Sequence, residues 1–242
     1  MNHAMKNTPP ASRVAAVDWK EVRRSLDEAG WALLPGLVAP VDCRRLMALY
    51  PEDRRFRSTV DMARHRFGRG QYRYFRYPLP RVVRALRTHV YARLAPIAND
   101  WALALGQRVS YPATLAEFLA RCARAGQRKP TPLLLTYREG GYNCLHRDLY
   151  GEVAFPLQMT VILSRPGADY EGGAFLLVEQ RPRQQSVGEA LLPEQGDAVL
   201  FASADRPVAG ARGFYRAGVR HGVARVTRGA RATLGIIFHD AR

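Results

Sequence analysis

The sequence predicts a mainly β fold in which a double-stranded β-helix (jelly roll) core is buttressed by N-terminal α-helices. Two observations lead to this prediction. After Pro130 the chain reads as short apolar strands separated by Gly, Pro and Asp turns, a pattern that continues to Asp240 and is typical of a jelly roll. Before Pro130, apolar residues recur at helical spacing behind prolines or capping residues, which predicts supporting helices.

Domain organisation is expected to be simple. The chain has 242 residues without a long low-complexity linker, and sandwich or barrel domains often reach this length. Residues 1–16 lack a long apolar run, so we expect a flexible tail and neither a signal peptide nor a membrane span. A single domain is predicted over 17–242, with mainly helical support over 17–129 and the jelly-roll core over 130–242.

The first element after the tail has the clearest boundaries. Asp18 with Glu21 predicts a capping box that opens an amphipathic helix, and Gly30 predicts its end. The further elements expected before the core are a short strand from Trp31 and helical stretches that open at Pro40, Pro80 and Pro112.

The most informative motif is His146, Arg147 and Asp148, followed far downstream by His221. Alternate residues of a strand share a face, so His146 and Asp148 point the same way and Arg147 points opposite. A sandwich or barrel can bring His221 beside them from a later strand. Two imidazoles and a carboxylate on one face of a metal, with the other positions open, are typical of non-haem Fe(II) oxygenases. We therefore predict an Fe(II) site at which these three residues are metal ligands and catalytic residues, and the 17–242 domain is expected to be catalytic.

A cosubstrate site is predicted downstream. Arg231 and Thr233 lie two apart on a strongly apolar strand and so face the same side of the sheet. A buried guanidinium requires an anion and can hold a carboxylate in a bidentate manner. 2-Oxoglutarate, with one end chelating the metal, has a distal carboxylate that suits Arg231 and Thr233, with help from Tyr137; O2 takes the remaining metal position.

These residues resemble the Fe(II)/2-oxoglutarate-dependent dioxygenase superfamily over residues 131–240. Within it, the chain most resembles a bacterial group of nucleic-acid oxygenases akin to the AlkB-like oxidative demethylases, with 145–151 and 235–240 as the distinctive stretches. The positions that carry the superfamily resemblance are Tyr137, Gly140, Gly141, His146, Asp148, Gly172, Gly173, Gly196, Asp197, His221, Val226, Gly229, Arg231 and Thr233.

Composition indicates the partner. The chain contains 37 Lys and Arg against 21 Asp and Glu, a formal net charge of +16, which is the electrostatic pattern of a phosphate-backbone binder. Residues 64–77 interleave arginines with aromatic rings that suit phosphates and bases, although a hairpin packed on the core would have the same composition. The predicted substrate contacts are Arg69, Tyr72, Arg73, Arg76, Arg147, Tyr150 and Arg216.

Together these features predict an enzyme that hydroxylates N-alkyl groups on damaged bases of DNA or RNA, with release of formaldehyde, succinate and CO2. This would be a DNA-repair activity in the cytoplasm, where the cysteines, which have no CxxC spacing, would remain free thiols. One alternative is a protein side-chain hydroxylase, since the short interval from His221 to Arg231 is closer to that of prolyl hydroxylases. The other is a non-catalytic, basic nucleic-acid-binding module.

Overall fold

The computed structural model describes residues 8–148 and 151–242. The helices are α1 (Pro10–Ala15), α2 (Trp19–Ala29), α3 (Pro40–Ala48), α4 (Arg81–Ala104) and α5 (Leu115–Arg124). The strands are β1 (Trp31–Leu34), β2 (Phe56–Asp61), β3 (Gly68–Arg69), β4 (Gln71–Phe75), β5 (Leu133–Arg138), β6 (Tyr142–His146), β7 (Leu157–Ile162), β8 (Tyr170–Gly172), β9 (Phe175–Gln180), β10 (Val187–Leu191), β11 (Ala198–Ala202), β12 (Asp205–Gly210), β13 (Gly213–Val223) and β14 (Val226–Ile237).

The strands form two antiparallel sheets. The major sheet has the order β1-β11-β7-β14-β5-β4-β2, with β8 paired to β14. The minor sheet has the order β10-β9-β13-β6-β3, with β12 paired to β13. The predicted mainly β, jelly-roll-like fold with supporting helices is therefore confirmed. The support region over 17–129 is mainly helical, but it also supplies β1, β2 and β4 to the major sheet and β3 to the minor sheet.

Helix α4 is the main support of the core. It buries Val83, Leu86, Val90 and Leu94, which recur every three or four residues and so form one apolar stripe. Tyr91 on the same helix contacts three buried phenylalanines, among them Phe155, whose ring lies 4.9 Å away. Burial of each such apolar side chain stabilises the fold by about 1.5–3 kcal/mol.

The helix boundaries follow from local chemistry. The Asp18 carboxylate accepts hydrogen bonds from the backbone amides of Lys20 and Glu21, and Gly30 ends α2 with a φ of 79°. The predicted capping box is only half formed, because the Glu21 carboxylate pairs with Arg24 at 2.7 and 2.9 Å. A complete box stands instead at Thr114 and Glu117 and opens α5, which the sequence had placed as starting at Pro112.

The predicted tail over 1–16 is wrong in its second half, where α1 forms. Val14 is 1% exposed and belongs to the core, which fixes this helix to the domain. The Arg13 guanidinium donates to the backbone carbonyl of Gly36 at 3.0 Å. Residues 1–7 lie outside the described part of the chain. Among the described helices, none is long and apolar enough to span a membrane.

Candidate active site

Three predicted metal ligands come together on the minor sheet. His146 ends β6 and is the direct register partner of His221 on β13, which places their rings 4.2 Å apart. Asp148 follows two residues later; its carboxylate oxygens lie 3.6 Å from His146 Nε2 and 3.3 Å from His221 Nε2. One donor atom from each residue lies within 4.8 Å of the others. Two nitrogens and one carboxylate oxygen at this separation fit a divalent transition metal such as Fe(II).

The tautomer of His146 favours metal binding through Nε2. His146 Nδ1 lies 2.8 Å from the backbone carbonyl of Cys144, and because a carbonyl only accepts, Nδ1 carries the hydrogen. The Nε2 lone pair is therefore directed at the Asp148 side of the site. Burial, and then the neighbouring His221, lower the pKa of His146 below its usual value, which favours the neutral imidazole that binds metals.

A second cluster of polar side chains lies on the facing major sheet. Arg231, Thr233 and Tyr137 are each at most 2% exposed. Arg231 Nε and the Tyr137 hydroxyl are buried and have no hydrogen-bond partner among the described residues. Burial raises the pKa of Tyr137 to about 12, so this phenol is a hydrogen-bond donor at neutral pH. A buried guanidinium without an anion is costly, and the carboxylate of 2-oxoglutarate fits this need.

The Gly-Gly turn before β9 makes room for this arginine. A side chain at Gly173 would place its Cβ 2.8 Å from Arg231 Cδ, and the residue has a φ of 62°. Only glycine fits both the backbone conformation and the close approach. Gly173 therefore leaves the space that the Arg231 side chain occupies.

One cavity of about 410 Å³ joins the two groups. Both sheets line it. From the minor sheet side it is lined by the three candidate metal ligands, and from the major sheet by Arg231 and Thr233. The arrangement can hold a metal and a bidentate anion, with space left for a further organic group.

The predicted substrate contacts differ in where they lie relative to the cavity. Tyr72 and Arg147 line the cavity. Arg216 lies at the same rim, since its guanidinium is 2.8 Å from Asp205, which in turn is 3.8 Å from Arg147. Arg69 is exposed on β3 beside the turn at Gly140 and is not a lining residue. Tyr150 lies outside the described residues.

Arg73 and Arg76, two further predicted substrate contacts, do not line the cavity. Alternation along β4 turns Tyr72 toward the cavity and Arg73 toward the opposite face. There Arg73 is buried and is paired with Asp53 at 2.5 Å. Arg76 donates from Nε to the backbone carbonyl of Phe56 at 3.1 Å. Both side chains hold the β2–β4 hairpin, as the packing interpretation of this stretch expected.

The sequence interpretation missed several lining residues. Arg66 and Phe67 stand at the cavity mouth, and the Phe67 ring is 47% exposed. Gln158 and Thr160 on β7 line the interior. The alternation of β7 places these two on one face, but every residue of the strand is buried, so burial along the strand did not distinguish the cavity side.

The fold is similar to those of solved oxygenases. A prolyl-4-hydroxylase from Pseudomonas putida matches with a TM-score of 0.56 at 16% identity, covering 93% of this chain and 99% of the other. A 2-oxoglutarate-Fe(II) oxygenase family oxidoreductase from Burkholderia pseudomallei matches with a TM-score of 0.52 at 15% identity, covering 93% of both chains. These matches show that the chain has the fold of the 2-oxoglutarate-Fe(II) oxygenases, and its cavity carries a donor set that fits Fe(II) and a buried arginine that fits 2-oxoglutarate.

Sequence relationships narrow the class to a family. Residues 70–241, more than half of the chain, match the Oxygenase-NA family, described as oxygenases catalysing oxidative methylation of damaged DNA. The chain therefore belongs to the Oxygenase-NA family. It is also 47% identical over 167 residues to uncharacterized proteins from two strains of Mycobacterium tuberculosis, covering 69% of this chain and 72% of each relative. Because the family is one of oxygenases, membership in it argues against the alternative of a non-catalytic binding module.

Proposed function

We propose that this oxygenase hydroxylates N-alkyl groups on damaged nucleic-acid bases, which releases formaldehyde and restores the base. One observation carries the proposal. One cavity joins the His146, Asp148 and His221 donors with the buried Arg231, whose Nε has no hydrogen-bond partner among the described residues. Arg66, Phe67 and Arg147 line it as well. The family description, which names damaged DNA, supports the same substrate class.

Each residue of the site has a separate task in this proposal. His146, Asp148 and His221 hold Fe(II), while Arg231 with Thr233 and Tyr137 binds the distal carboxylate of 2-oxoglutarate. When bound, the iron and the cosubstrate supply the oxidising power that inserts one oxygen atom into a C–H bond, with decarboxylation to succinate and CO2. The protonated Tyr137 donates a hydrogen bond to the carboxylate, and the buried walls exclude water.

The cavity mouth suits a nucleic-acid strand. The Phe67 ring is exposed and stacks on His65 with ring centroids 5.4 Å apart, which offers a surface for a base. Arg66 and Arg147 are exposed beside it and can contact backbone phosphates. Because the donors lie inside a cavity, a target base has to be unpaired or extruded from a duplex. Single-stranded substrates avoid that unpairing cost.

A protein side-chain hydroxylase remains the second candidate. Strands β13 and β14 are separated by two residues, so His221 and Arg231 are joined by a tight turn. This short interval is closer to that of prolyl hydroxylases. A protein hydroxylase would release succinate with a peptide substrate and would release no formaldehyde.

The test uses anaerobically purified protein supplied with Fe(II), 2-oxoglutarate, ascorbate and air. Succinate and formaldehyde are measured with methylated and unmethylated oligonucleotides, both single- and double-stranded. The proposal expects formaldehyde in equal amount to the succinate released in excess of the unmethylated control. Succinate without formaldehyde on every methylated strand contradicts nucleic-acid demethylation and directs the search to peptides.

The same proposal locates the enzyme in the cytoplasm. Cys43, Cys122 and Cys144 are free thiols, which suits a reducing compartment. Fe(II) and 2-oxoglutarate are also both available there. Fractionation of cells that carry a tagged full-length chain tests this location, and recovery outside the cytoplasm contradicts it.

A further inference from the structure

One buried polar group in the cavity belongs neither to the candidate metal ligands nor to the predicted contacts of 2-oxoglutarate. Gln158 lies on β7 and is 4% exposed, and its Nε2 has no hydrogen-bond partner among the described residues. Its strand is otherwise apolar apart from Thr160. A buried amide donor left unsatisfied costs about 1–3 kcal/mol, so the cavity contains a donor that a ligand would satisfy.

Gln158 lies at the opposite end of the cavity from Arg231. It is the register partner of Ile237 on β14, and Arg231 stands six residues earlier on that strand. At about 3.3 Å per residue the two positions are roughly 20 Å apart along the strand. A 2-oxoglutarate molecule anchored at Arg231 is much shorter than this and cannot reach Gln158. Gln158 Nε2 and Arg231 Nε therefore lie too far apart to bind the same 2-oxoglutarate molecule.

The Gln158 end lies beside the candidate metal ligands. Gln158 is also the register partner of Phe201 on β11, and the Phe201 ring lies 4.8 Å from the ring of His221. A group that enters the cavity from its mouth and presents a C–H bond to the metal would thus have its far edge near Gln158. Thr160, the next residue on the same face of β7, adds a hydroxyl that also lines the cavity.

The chemistry of the unpartnered atom indicates what is recognised. Nε2 is a donor, so its ligand must present an acceptor, such as a ring nitrogen or an exocyclic carbonyl oxygen. A glutamine carboxamide matches the donor and acceptor spacing of nucleobase edges, and a well-formed contact of this kind discriminates between bases by about 1–3 kcal/mol. Tyr74 and Leu133, which also line the cavity, supply rings and apolar surface for the base faces.

We propose that Gln158, assisted by Thr160, is the base-reading element of the substrate pocket: its amide donates to an acceptor on the edge of the extruded alkylated base. This inference rests on the proposed function. It assigns Gln158 to substrate selection and Arg231 to cosubstrate binding. Substitution of Gln158 should therefore affect substrate parameters and leave 2-oxoglutarate parameters unchanged.

The test compares the native enzyme with Gln158→Met, which keeps an unbranched side chain and removes the amide, and with Thr160→Val. Gln107→Met is the matched control, because Gln107 is exposed near the end of α4 and away from the cavity. We expect Gln158→Met to lower kcat/KM for a methylated single strand by about 10- to 100-fold, as loss of one base contact implies. Succinate release without substrate and the KM for 2-oxoglutarate should match the control, and thermal stability should be at least as high, because the variant lacks the unsatisfied amide.

Binding provides a second readout that does not depend on turnover. Fluorescence anisotropy under anaerobic conditions, with Fe(II) and 2-oxoglutarate present, measures affinity for methylated and unmethylated strands. Gln158→Met should lose the preference for the methylated strand and keep the phosphate-dependent affinity that both strands share. Thr160→Val should show a smaller loss of the same preference.

The outcomes separate the two proposals. If the native enzyme releases formaldehyde and prefers methylated strands, but Gln158→Met does the same, only the Gln158 assignment is overturned. A raised KM for 2-oxoglutarate in Gln158→Met places Gln158 with the cosubstrate and also overturns it. If the native enzyme neither prefers methylated strands nor releases formaldehyde, the proposed function fails, and base reading by Gln158 fails with it.

Discussion

Arg231 and Tyr137 are directly paired residues of neighbouring strands, and the guanidinium carbon of Arg231 lies 5.7 Å from the centre of the Tyr137 ring. Both side chains are buried, and Arg231 Nε and the Tyr137 hydroxyl have no partner among the described residues. Two buried donors side by side at the inner end of the cavity form a binding site for an anion. The pair is therefore costly to the unliganded protein and useful once 2-oxoglutarate is bound.

Replacement of Arg231 separates its effect on the stability of the unliganded protein from its effect on 2-oxoglutarate binding. Arg231→Met removes a buried charge that has no carboxylate partner among the described residues, so we expect the free protein to be at least as stable as the native one. Affinity for 2-oxoglutarate should fall by about 10- to 100-fold, because a hydrogen bond to a charged group contributes about 1.5–3 kcal/mol. Thermal melts with and without 2-oxoglutarate measure both quantities. A variant that keeps the native ligand-induced rise in Tm contradicts the assignment.

The metal assignment predicts that removal of one ligand abolishes both succinate formation and metal binding. His146→Ala removes one of three donors, so we expect no succinate above background and no absorption bands from bound Co(II), a spectroscopic substitute for Fe(II). His89→Ala is the matched control, because His89 is exposed on α4 and away from the cavity. Native turnover in His146→Ala would rule out these three residues as the metal site.

The mouth of the cavity predicts a change in salt dependence. Arg147 is 41% exposed and lies at the rim, so Arg147→Ala should weaken oligonucleotide binding and reduce the slope of log affinity against log salt by about 0.7. Arg93→Ala, an exposed position on α4, makes the same change in net charge away from the mouth. Equal slopes for the two variants would mean that Arg147 contacts no phosphate.

A buried histidine predicts how stability depends on pH. His239 Nδ1 accepts a hydrogen bond from the backbone amide of Phe155, and burial, followed by the charge of Arg87, lowers the pKa of His239 to about 4. Because the unfolded chain binds this proton more readily, the stabilisation is present above pH 6.5 and is lost as the pH falls toward 4. The loss amounts to at most about 1.4 kcal/mol per pH unit. Urea unfolding of the native protein and of His239→Asn measures the free energy of unfolding at each pH. We expect this free energy to change less with pH in the variant, and parallel pH profiles would contradict the role of His239.

The ion pair between Arg87 and Asp240 predicts a large structural effect. The two side chains are 1% and 6% exposed, and Arg87 Nη2 lies 2.8 Å from an Asp240 oxygen. Asp240→Ala leaves a buried charge without its partner, so we expect a loss of about 3–5 kcal/mol in the free energy of unfolding. Asp169→Ala breaks an exposed pair with Arg165 and should cost no more than about 1 kcal/mol. Similar losses of unfolding free energy in the two variants would show that burial of the ion pair does not determine its contribution to stability.

The metal ligands illustrate how far sequence reasoning reached. Strand alternation predicted that His146 and Asp148 would share a face. In the structure β6 ends at His146, and the segment after it brings Asp148 to the site, with Arg147 also lining the cavity. The pairing of His221 with His146 in register depends on strands that are far apart in sequence; the ligand pattern predicted that His221 joins the site but could not give this register. The alternation rule also separates Tyr72 from Arg73, although composition alone had grouped them as substrate contacts.

Local sequence determined the elements and the chemistry of this protein: the helix caps at Asp18 and Gly30, the strands after Pro130, the donor types and the excess of positive charge. Tertiary structure decided which of these groups face one cavity. Gln158 became a candidate only when register placed it beside Phe201 and at the far end from Arg231. The physical reason is that propensity and alternation act over a few residues, whereas burial and the lack of a hydrogen-bond partner depend on every strand packed around the residue.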